Sequence, residues 1–349
     1  MNYSDIAYKI INQVIKIEPY QSVIISAEIH NVHDFDEPLV AIPFLEELAI
    51  VARKHKGLPL LDISTENIHK RFFEEIEEEN KGLSTELFNK WLSTADLFID
   101  LSWRSNPIFY KSIPERAFKR LNLSPREFIK IFEERNKKLL MLGYPTLGLA
   151  KYLEIDHDKL EKGYFTLLNA DYFELKKKCQ FLEGKLSRAR FLNIITENRT
   201  LNIELRGEAK SYYGEFGEDC IAILPTGYWQ QSVNTATING IVYFDNVYYE
   251  QYIWHNIQII YEFGRIVDVE TDIQQKNMNL LKSVLFYDAD TVYLNIGQNE
   301  GKCENSFYSL FEMVKNKNLS LTINSQKGQV IALSTSAGLF ETNDNNILG

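Results

Sequence analysis

Histidine is the scarcest useful ligand in this chain. Six occur in 349 residues, and only His255 lies beyond position 157. No pair of imidazoles can therefore form within the second half, which leaves a His-based divalent-metal site there without its usual nitrogen ligands. Cysteine is equally thin. Cys179, Cys220 and Cys303 are scattered, odd in number and form no CxxC pair. Neither a disulfide framework nor a structural zinc site is indicated, and a reducing, cytoplasmic setting is expected. No dense Lys/Arg block is present, and 48 acids against 38 bases give a net charge of -10. That balance argues against nonspecific attraction to nucleic acid or to an anionic membrane. No stretch reads as a signal peptide or a membrane span; the opening MNYSDIAYKIINQVIKI is charged and amphipathic. Neither GxGxxG nor GxxxxGK[ST] follows any apolar strand, so nucleotide binding has no support, and the GxSxG elbow of many serine hydrolases is absent too.

What is present is an ordinary globular composition, 45% apolar and 25% charged, in a chain long enough for two domains. In the first half, Ser4 is placed to cap a helix carrying Ile6, Ile10, Ile11, Val14 and Ile15. SVIISA (22–27), LPLLDI (58–63), DLFIDLS (96–102) and LLMLG (139–143) read as strands. Between them lie a helical stripe of Phe44, Leu45, Leu48, Ala49 and Ala52 that Gly57 ends, an acidic helix over 65–79, and an LSPREF helix start at Ser124. Strands alternating with helices predict a parallel, doubly wound α/β sheet. His30 and His33 fall in a polar loop with Asp34, Asp36 and Glu37 after the first strand. Such loops often carry ligands in α/β sheets, although a solvated loop with incidental histidines is the simpler reading.

Asp156 or Asp158 can cap a long helix running to about Leu186. Beyond it, FLNIIT and TLNIELRG flank a short polar break, GIVYFD follows, and NIQIIYEFGRIVDVE turns at Gly264. VYLNIG, LSLTIN and QVIAL add strands, with one clear helix over 273–285. The expected architecture is an N-terminal α/β domain over residues 1–160, followed by a β-rich α+β domain over 161–349.

Five segments, in this order, resemble the M29 family of metallo-aminopeptidases. They are GYPTLGLAKYLEIDHDKLEKGYFTLLNADYFEL, TLNIELRG, ILPTGYWQQSVNTATINGIVYFD, YEFGRIVDVE and VYLNIGQNEG. The third resembles the family's NLP-x-GE-V-F stretch and the last its A-E-L-G-I-G-x-N-P segment. The resemblance spans nearly the whole chain. It implies an N-terminal α/β domain, a C-terminal metal-binding domain, a homodimer, and two adjacent divalent metals that activate water to remove N-terminal residues.

The departures lie where the chemistry would be. Two-metal hydrolysis needs carboxylates and imidazoles to hold the ions and lower the pKa of bound water. By the resemblance, Tyr228 stands at the first glutamate, Tyr293 at the second, Asn295 at the glycine two residues on, and Ser320 at a histidine. A later His-x-Asp pair falls at Gln329 and Ile331. Neutral groups of this kind bind hard divalent ions poorly. The expectation is thus a protein of this fold with no metal and no cofactor. Tyr228, Trp229, Gln230, Tyr293, Asn295 and Ser320 would form a cleft for a peptide or small amino-acid-derived ligand, with no nucleic-acid or membrane partner. Tyr212, Tyr213, Tyr243, Tyr248, Tyr249 and Tyr252 extend the aromatic character. Three alternatives stay open. The aromatics fill vacated space. The chain is an enzyme, through other metal ligands or through metal-free chemistry using groups such as Ser320, Cys220, Cys303 or one of Glu215, Glu218, Asp219, Glu250, Glu262, Asp268 and Glu270. Or it is a structural partner for an active relative.

Overall fold

The structure, a computed structural model, describes residues 2–29, 41–65, 92–101, 132–216, 220–271, 273–286, 289–301, 309–325, 328–335, 337–341 and 346–348, with positions 67, 68, 71, 75, 90, 107 and 130. His30, His33, Asp34, Asp36, Glu37, the LSPREF cap, most of the acidic helix, Glu218, Asp219 and Cys303 lie outside them. The chain divides into two compact units: Met1–Tyr172 with Gly214–Pro225, and Phe173–Tyr213 with Thr226–Gly349.

The first unit is built on a parallel sheet. Its strands are β1 (Ser22–Ile29), β2 (Leu58–Thr65), β3 (Leu97–Asp100), β4 (Lys138–Met141) and β7 (Ile221–Ile223), in the order β2-β1-β3-β4-β7. Val23, Ile25, Leu97, Ile99 and Leu140 are buried along it, which is why these strands read as continuous apolar runs. The fifth strand was not legible: three residues are too few to show a period, and they come from the second half of the chain.

Helix α1 (Tyr3–Lys9) starts from Asn2, not Ser4; the Asp5 N–H donates to Asn2 Oδ1 at 3.3 Å. It continues as π-helical Ile10–Ile15, and Ile6, Ile10, Ile11, Val14 and Ile15 are all buried. Helix α2 (Ala41–Lys54) buries Phe44, Leu45, Leu48 and Ala52, and the left-handed residue that follows it is Lys56, ahead of Gly57. The long helix expected after Asp156 is two. After α3 (Leu147–Tyr152), Asp156 caps α4 (His157–Leu168) by accepting from Lys159 N at 3.0 Å. A break then precedes α5 (Tyr172–Leu186). Groups near the N-terminus satisfy the broken ends: Lys9 Nζ donates to the Asn169 carbonyl at 2.7 Å, and Tyr172 N–H donates to Gln13 Oε1 at 2.9 Å.

The second unit is built on an antiparallel sheet, eleven-stranded among the described residues, in the order β11-β10-β9-β14-β13-β12-β8-β6-β5-β15-β16. The strands are β5 (Phe191–Thr196), β6 (Arg199–Tyr212), β8 (Tyr228–Val233), β9 (Asn239–Tyr249), β10 (Tyr252–Glu262), β11 (Arg265–Thr271), β12 (Ala289–Gly297), β13 (Leu319–Ser325), β14 (Gly328–Ser334), β15 (Gly338–Glu341) and β16 (Asn346–Leu348). Helices α6 (Met278–Leu285) and α7 (Ser309–Val314) interrupt them. A further pairing of β9 with β6 links β9, β14, β13, β12, β8 and β6 into a closed circuit. The β5–β6 turn places Glu197 and Asn198 at positive φ, and the β10–β11 turn does the same with Phe263 and Gly264, the twist that two-residue hairpins favour. Helix α6 starts later than expected because Asn277 is left-handed. A parallel α/β sheet and a large antiparallel sheet are what the sequence predicts for the fold class.

Candidate functional site

β12 lies between β8 and β13 and runs antiparallel to both. Successive residues of each strand turn to opposite faces. Trp229 and Val233 of β8, Leu294 and Ile296 of β12, and Leu319 and Leu321 of β13 enter the core. The alternate residues share the other face, and the register arranges them in rows. One row runs Tyr212, Tyr228, Gly297. The next runs Lys210, Gln230, Asn295, Ser320. The third runs Arg206, Ser232, Tyr293, Thr322.

A hydrogen-bond chain of one polarity crosses these rows. The Tyr212 hydroxyl donates to Gln230 Oε1 at 3.5 Å, and Gln230 Nε2 donates to Asn295 Oδ1 at 2.7 Å. Asn295 Nδ2 donates to Thr322 Oγ1 at 2.9 Å and to Ser320 Oγ at 3.2 Å. The direction follows from the chemistry: hydroxyls on one side of Asn295 and an amide on the other are satisfied together when each amide nitrogen points toward β13. Asn295, Ser320 and Thr322 are buried, and the chain satisfies groups whose burial is otherwise costly. Tyr212 and Tyr228 stack at 4.6 Å between ring centroids. Burial, then the neighbouring Tyr212, raises the Tyr228 phenol above its ordinary pKa, so it stays protonated. Tyr293 is half-buried, and its hydroxyl has no hydrogen-bond partner among the described residues.

The scaffold around this face is tightly specified. Gly297 is required because a Cβ there would lie 1.8 Å from the Lys315 carbonyl oxygen. Gly227 holds φ +123°, and a Cβ would meet Leu175 Cδ1 at 2.8 Å and Asn299 Cβ at 3.0 Å. Asn299 Nδ2 donates to the Thr226 carbonyl at 2.8 Å, and Gln298 N–H donates to the Gly227 carbonyl at 2.7 Å. These bonds tie the end of β12 to the start of β8.

The structure thus brings Tyr228, Gln230, Tyr293, Asn295 and Ser320 to one face and turns Trp229 away from it. Trp229 is fully buried in the core, with no partner for its Nε1 among the described residues; alternation along β8 leaves no other place for a residue between Tyr228 and Gln230. Gln329 donates from Nε2 to Asn324 Oδ1 at 3.0 Å, and Ile331 lies in a small apolar cluster with Tyr248 and Leu333. Thr322 and Ser232 were missed, although stepping by two from Ser320 and Gln230 finds both. Arg206 and Lys210 were missed because the β6 bulge that brings both into line with β8 leaves no sequence signature.

The donor set does not fit a pair of divalent ions. The register positions offer phenols, hydroxyls and amides, and the Asn295 oxygen already accepts from Gln230. Among the described residues no group of three or more His, Cys, Asp and Glu is arranged to hold a metal. Several of the other acids named above have partners of their own. Glu215 pairs with Lys16 at 2.8 Å in the first unit, which also holds Cys220, and Asp268 pairs with Lys282 at 3.5 Å. Glu270 accepts from Gln258 Nε2 at 2.6 Å, while His255, exposed on β10, is 2.7 Å from Asn246 Oδ1 through Nδ1.

No family model matches the chain, and no curated protein matches it by sequence. Solved structures do. AmpT from Thermus thermophilus, an M29 aminopeptidase, is similar with a TM-score of 0.64 and 14% identity, over 99% of this chain and 96% of that one. A 2,5-dihydroxypyridine dioxygenase from Pseudomonas putida KT2440 is similar with a TM-score of 0.57 and 12% identity, over 99% of this chain and 95% of that one. Among the described residues no helix is long and apolar enough to cross a membrane. The chain has an M29-like aminopeptidase fold.

Proposed function

We propose that this protein descends from M29-type aminopeptidases and works without their cocatalytic metals. The polar face of β8, β12 and β13 binds a peptide or amino-acid-derived ligand in a noncatalytic or accessory role, such as a step of a biosynthetic pathway. One observation carries this reading. The backbone-setting residues of the two motifs, Gly227, Gly297 and Asn299, are kept and structurally required, whereas the positions that would ligate metal carry Tyr228, Tyr293 and Ser320. Asn295 joins Ser320 in a hydrogen-bonded amide–hydroxyl network. A homodimer in a reducing, cytoplasmic setting belongs to the same proposal.

The test is elemental analysis of protein purified without chelator or metal-affinity resin, beside an assay for hydrolysis of amino-acid amides. The expected result is substoichiometric metal and no turnover. About two zinc, cobalt or manganese ions per chain together with amide hydrolysis would return the protein to the active aminopeptidases. A second reading, a repurposed enzyme in the same fold, is favoured by the dioxygenase neighbour, which indicates a different chemistry on a similar fold. Conversion of a bound small molecule by the metal-free protein is its signature.

A further inference from the structure

The hairpin that joins β10 to β11 holds out its tip in a fixed position. Gly264 is pressed against the preceding turn, where a Cβ would overlap the Thr235 carbonyl oxygen, and its N–H donates to the Ile238 carbonyl at 2.8 Å. The Phe263 N–H donates to Asn239 Oδ1 at 3.4 Å. The ring carried on this braced turn is 86% exposed. Phe263 also sits at φ +47°, where a two-residue hairpin favours asparagine or glycine and a bulky side chain is uncommon. Neither turn chemistry nor burial in its own chain accounts for phenylalanine at this position.

Beside the tip runs an apolar stripe on the outer face of the sheet. Ile241 on β9 stands opposite Ile260 on β10, and the register shift between β10 and β11 puts Val267 next to Ile260. Ile241 and Val267 are exposed and Ile260 is half-buried, while Val242, Ile259 and Val269 alternate with them and fill the core. β11 is the last strand of the sheet, yet its edge is closed to strand addition. The irregularity at Val267 breaks the ladder, and the Val269 N–H is taken by Asp268 Oδ1 at 2.7 Å; a bulge and an edge carboxylate both blunt an edge strand. The face, and not the edge, is open to a partner.

Two opposite charges flank the tip. Glu262 and Arg265 stand opposite each other across the turn and are both exposed, and neither forms an ion pair with a described residue. One charge of each sign, an exposed ring and an apolar stripe, all within one hairpin and its neighbour strand, make a patch complementary to itself. Self-complementarity is what a two-fold contact between identical chains requires. We propose that two copies of this chain pair through this face. Phe263 of each copy seats on the Ile241, Ile260 and Val267 stripe of the other, and Glu262 of each meets Arg265 of the other, so the ion pair forms twice. The inference rests on the homodimer of the reading above and assigns it a surface.

The test is sedimentation equilibrium of the full chain and four variants. Phe263→Asn places a residue suited to the left-handed turn, so the thermal midpoint is expected to hold or rise, while the dimer weakens at least ~10-fold through loss of the central aromatic anchor. Glu262→Arg and Arg265→Glu each set like charges against each other and are expected to weaken the dimer by about fivefold or more. The double variant E262R/R265E reverses both charges, re-forms the pair and is expected to return to within about twofold of the parent. All three positions are exposed, and circular dichroism of each variant separates lost pairing from lost folding. A dimer that Phe263→Asn weakens less than ~10-fold overturns the inference and leaves the homodimer standing on another surface. Single charge changes without effect, or a double variant without recovery, overturn it likewise. A parent that stays monomeric at hundreds of micromolar overturns both the interface and the homodimer.

Discussion

Gln230 on β8 donates from Nε2 to Asn295 Oδ1 on β12 across 2.7 Å, and this bond sets the direction of the hydrogen bonds from Asn295 to β13. With its oxygen facing Gln230, Asn295 has only its nitrogen to offer β13, and both Ser320 and Thr322 become acceptors. Asn295→Leu keeps the volume and removes the junction. It strands the Gln230 amide and deprives two hydroxyls of their donor, so a loss of about 2–4 kcal/mol in urea unfolding of the second unit is expected. Asn295→Asp keeps the acceptor for Gln230 and lets both hydroxyls donate inward to the new carboxylate. It is expected to fold.

Two glycines make opposite predictions. Gly297→Ala places a Cβ 1.8 Å from the Lys315 carbonyl oxygen and close to the Met313 carbonyl. Backbone cannot yield as a flexible side chain can, so a loss above about 3 kcal/mol or failure to fold is expected. Gly184, inside α5, has nothing within 4 Å of where a Cβ would sit. Gly184→Ala is expected to stabilise by about 0.5–1 kcal/mol through helix propensity. Thermal unfolding of the two variants side by side checks both.

Legibility in the sequence followed the length of the signal. Long apolar runs such as SVIISA and hairpins such as FLNIIT–TLNIELRG became the predicted elements because period and turn chemistry agreed. Ile221–Ile223 did not, since three residues joining a distant strand carry no period. The break between α4 and α5 was hidden because the groups that satisfy it, Lys9 and Gln13, come from the other end of that unit's chain. Within the candidate site, motif positions located Tyr228, Tyr293, Asn295 and Ser320 on neighbouring strands. A motif names consecutive residues, however, and cannot tell the two faces of a strand apart. Hence Trp229, adjacent to Tyr228, was grouped with it but belongs to the core.

The N-terminal end of β1 gives a pH-dependent prediction. Ser22 donates to Asp96 Oδ2 from its backbone N–H at 2.9 Å and from its hydroxyl at 2.7 Å. These bonds, with a smaller contribution from Lys137, hold the Asp96 carboxyl below the usual aspartate value. A depressed folded-state pKa means that Asp96 supports folding above the unfolded aspartate range, and that this support is lost as pH falls through the folded value. Ser22→Ala removes the side-chain bond and keeps the backbone one. NMR titration of the variant is expected to show Asp96 protonating at higher pH than in the parent, while a larger share of its acid sensitivity appears near pH 4.

The two fully buried tryptophans of the second unit differ in one atom's environment. Trp254 Nε1 donates to the Lys276 carbonyl at 3.0 Å, whereas Trp229 Nε1 is buried without a partner among the described residues. Substitution by phenylalanine removes similar volume from both sites, so the cavity cost is similar. At Trp254 it also breaks a hydrogen bond and leaves a carbonyl without its donor; at Trp229 it relieves an unsatisfied N–H. Trp229→Phe is therefore expected to be milder than Trp254→Phe by about 1–2 kcal/mol, read as the difference between their urea midpoints at equal m-value. Equal losses would mean that the Trp229 nitrogen has a partner in solution, such as a buried water, and the core behind the polar face would then be wetter than its side chains imply.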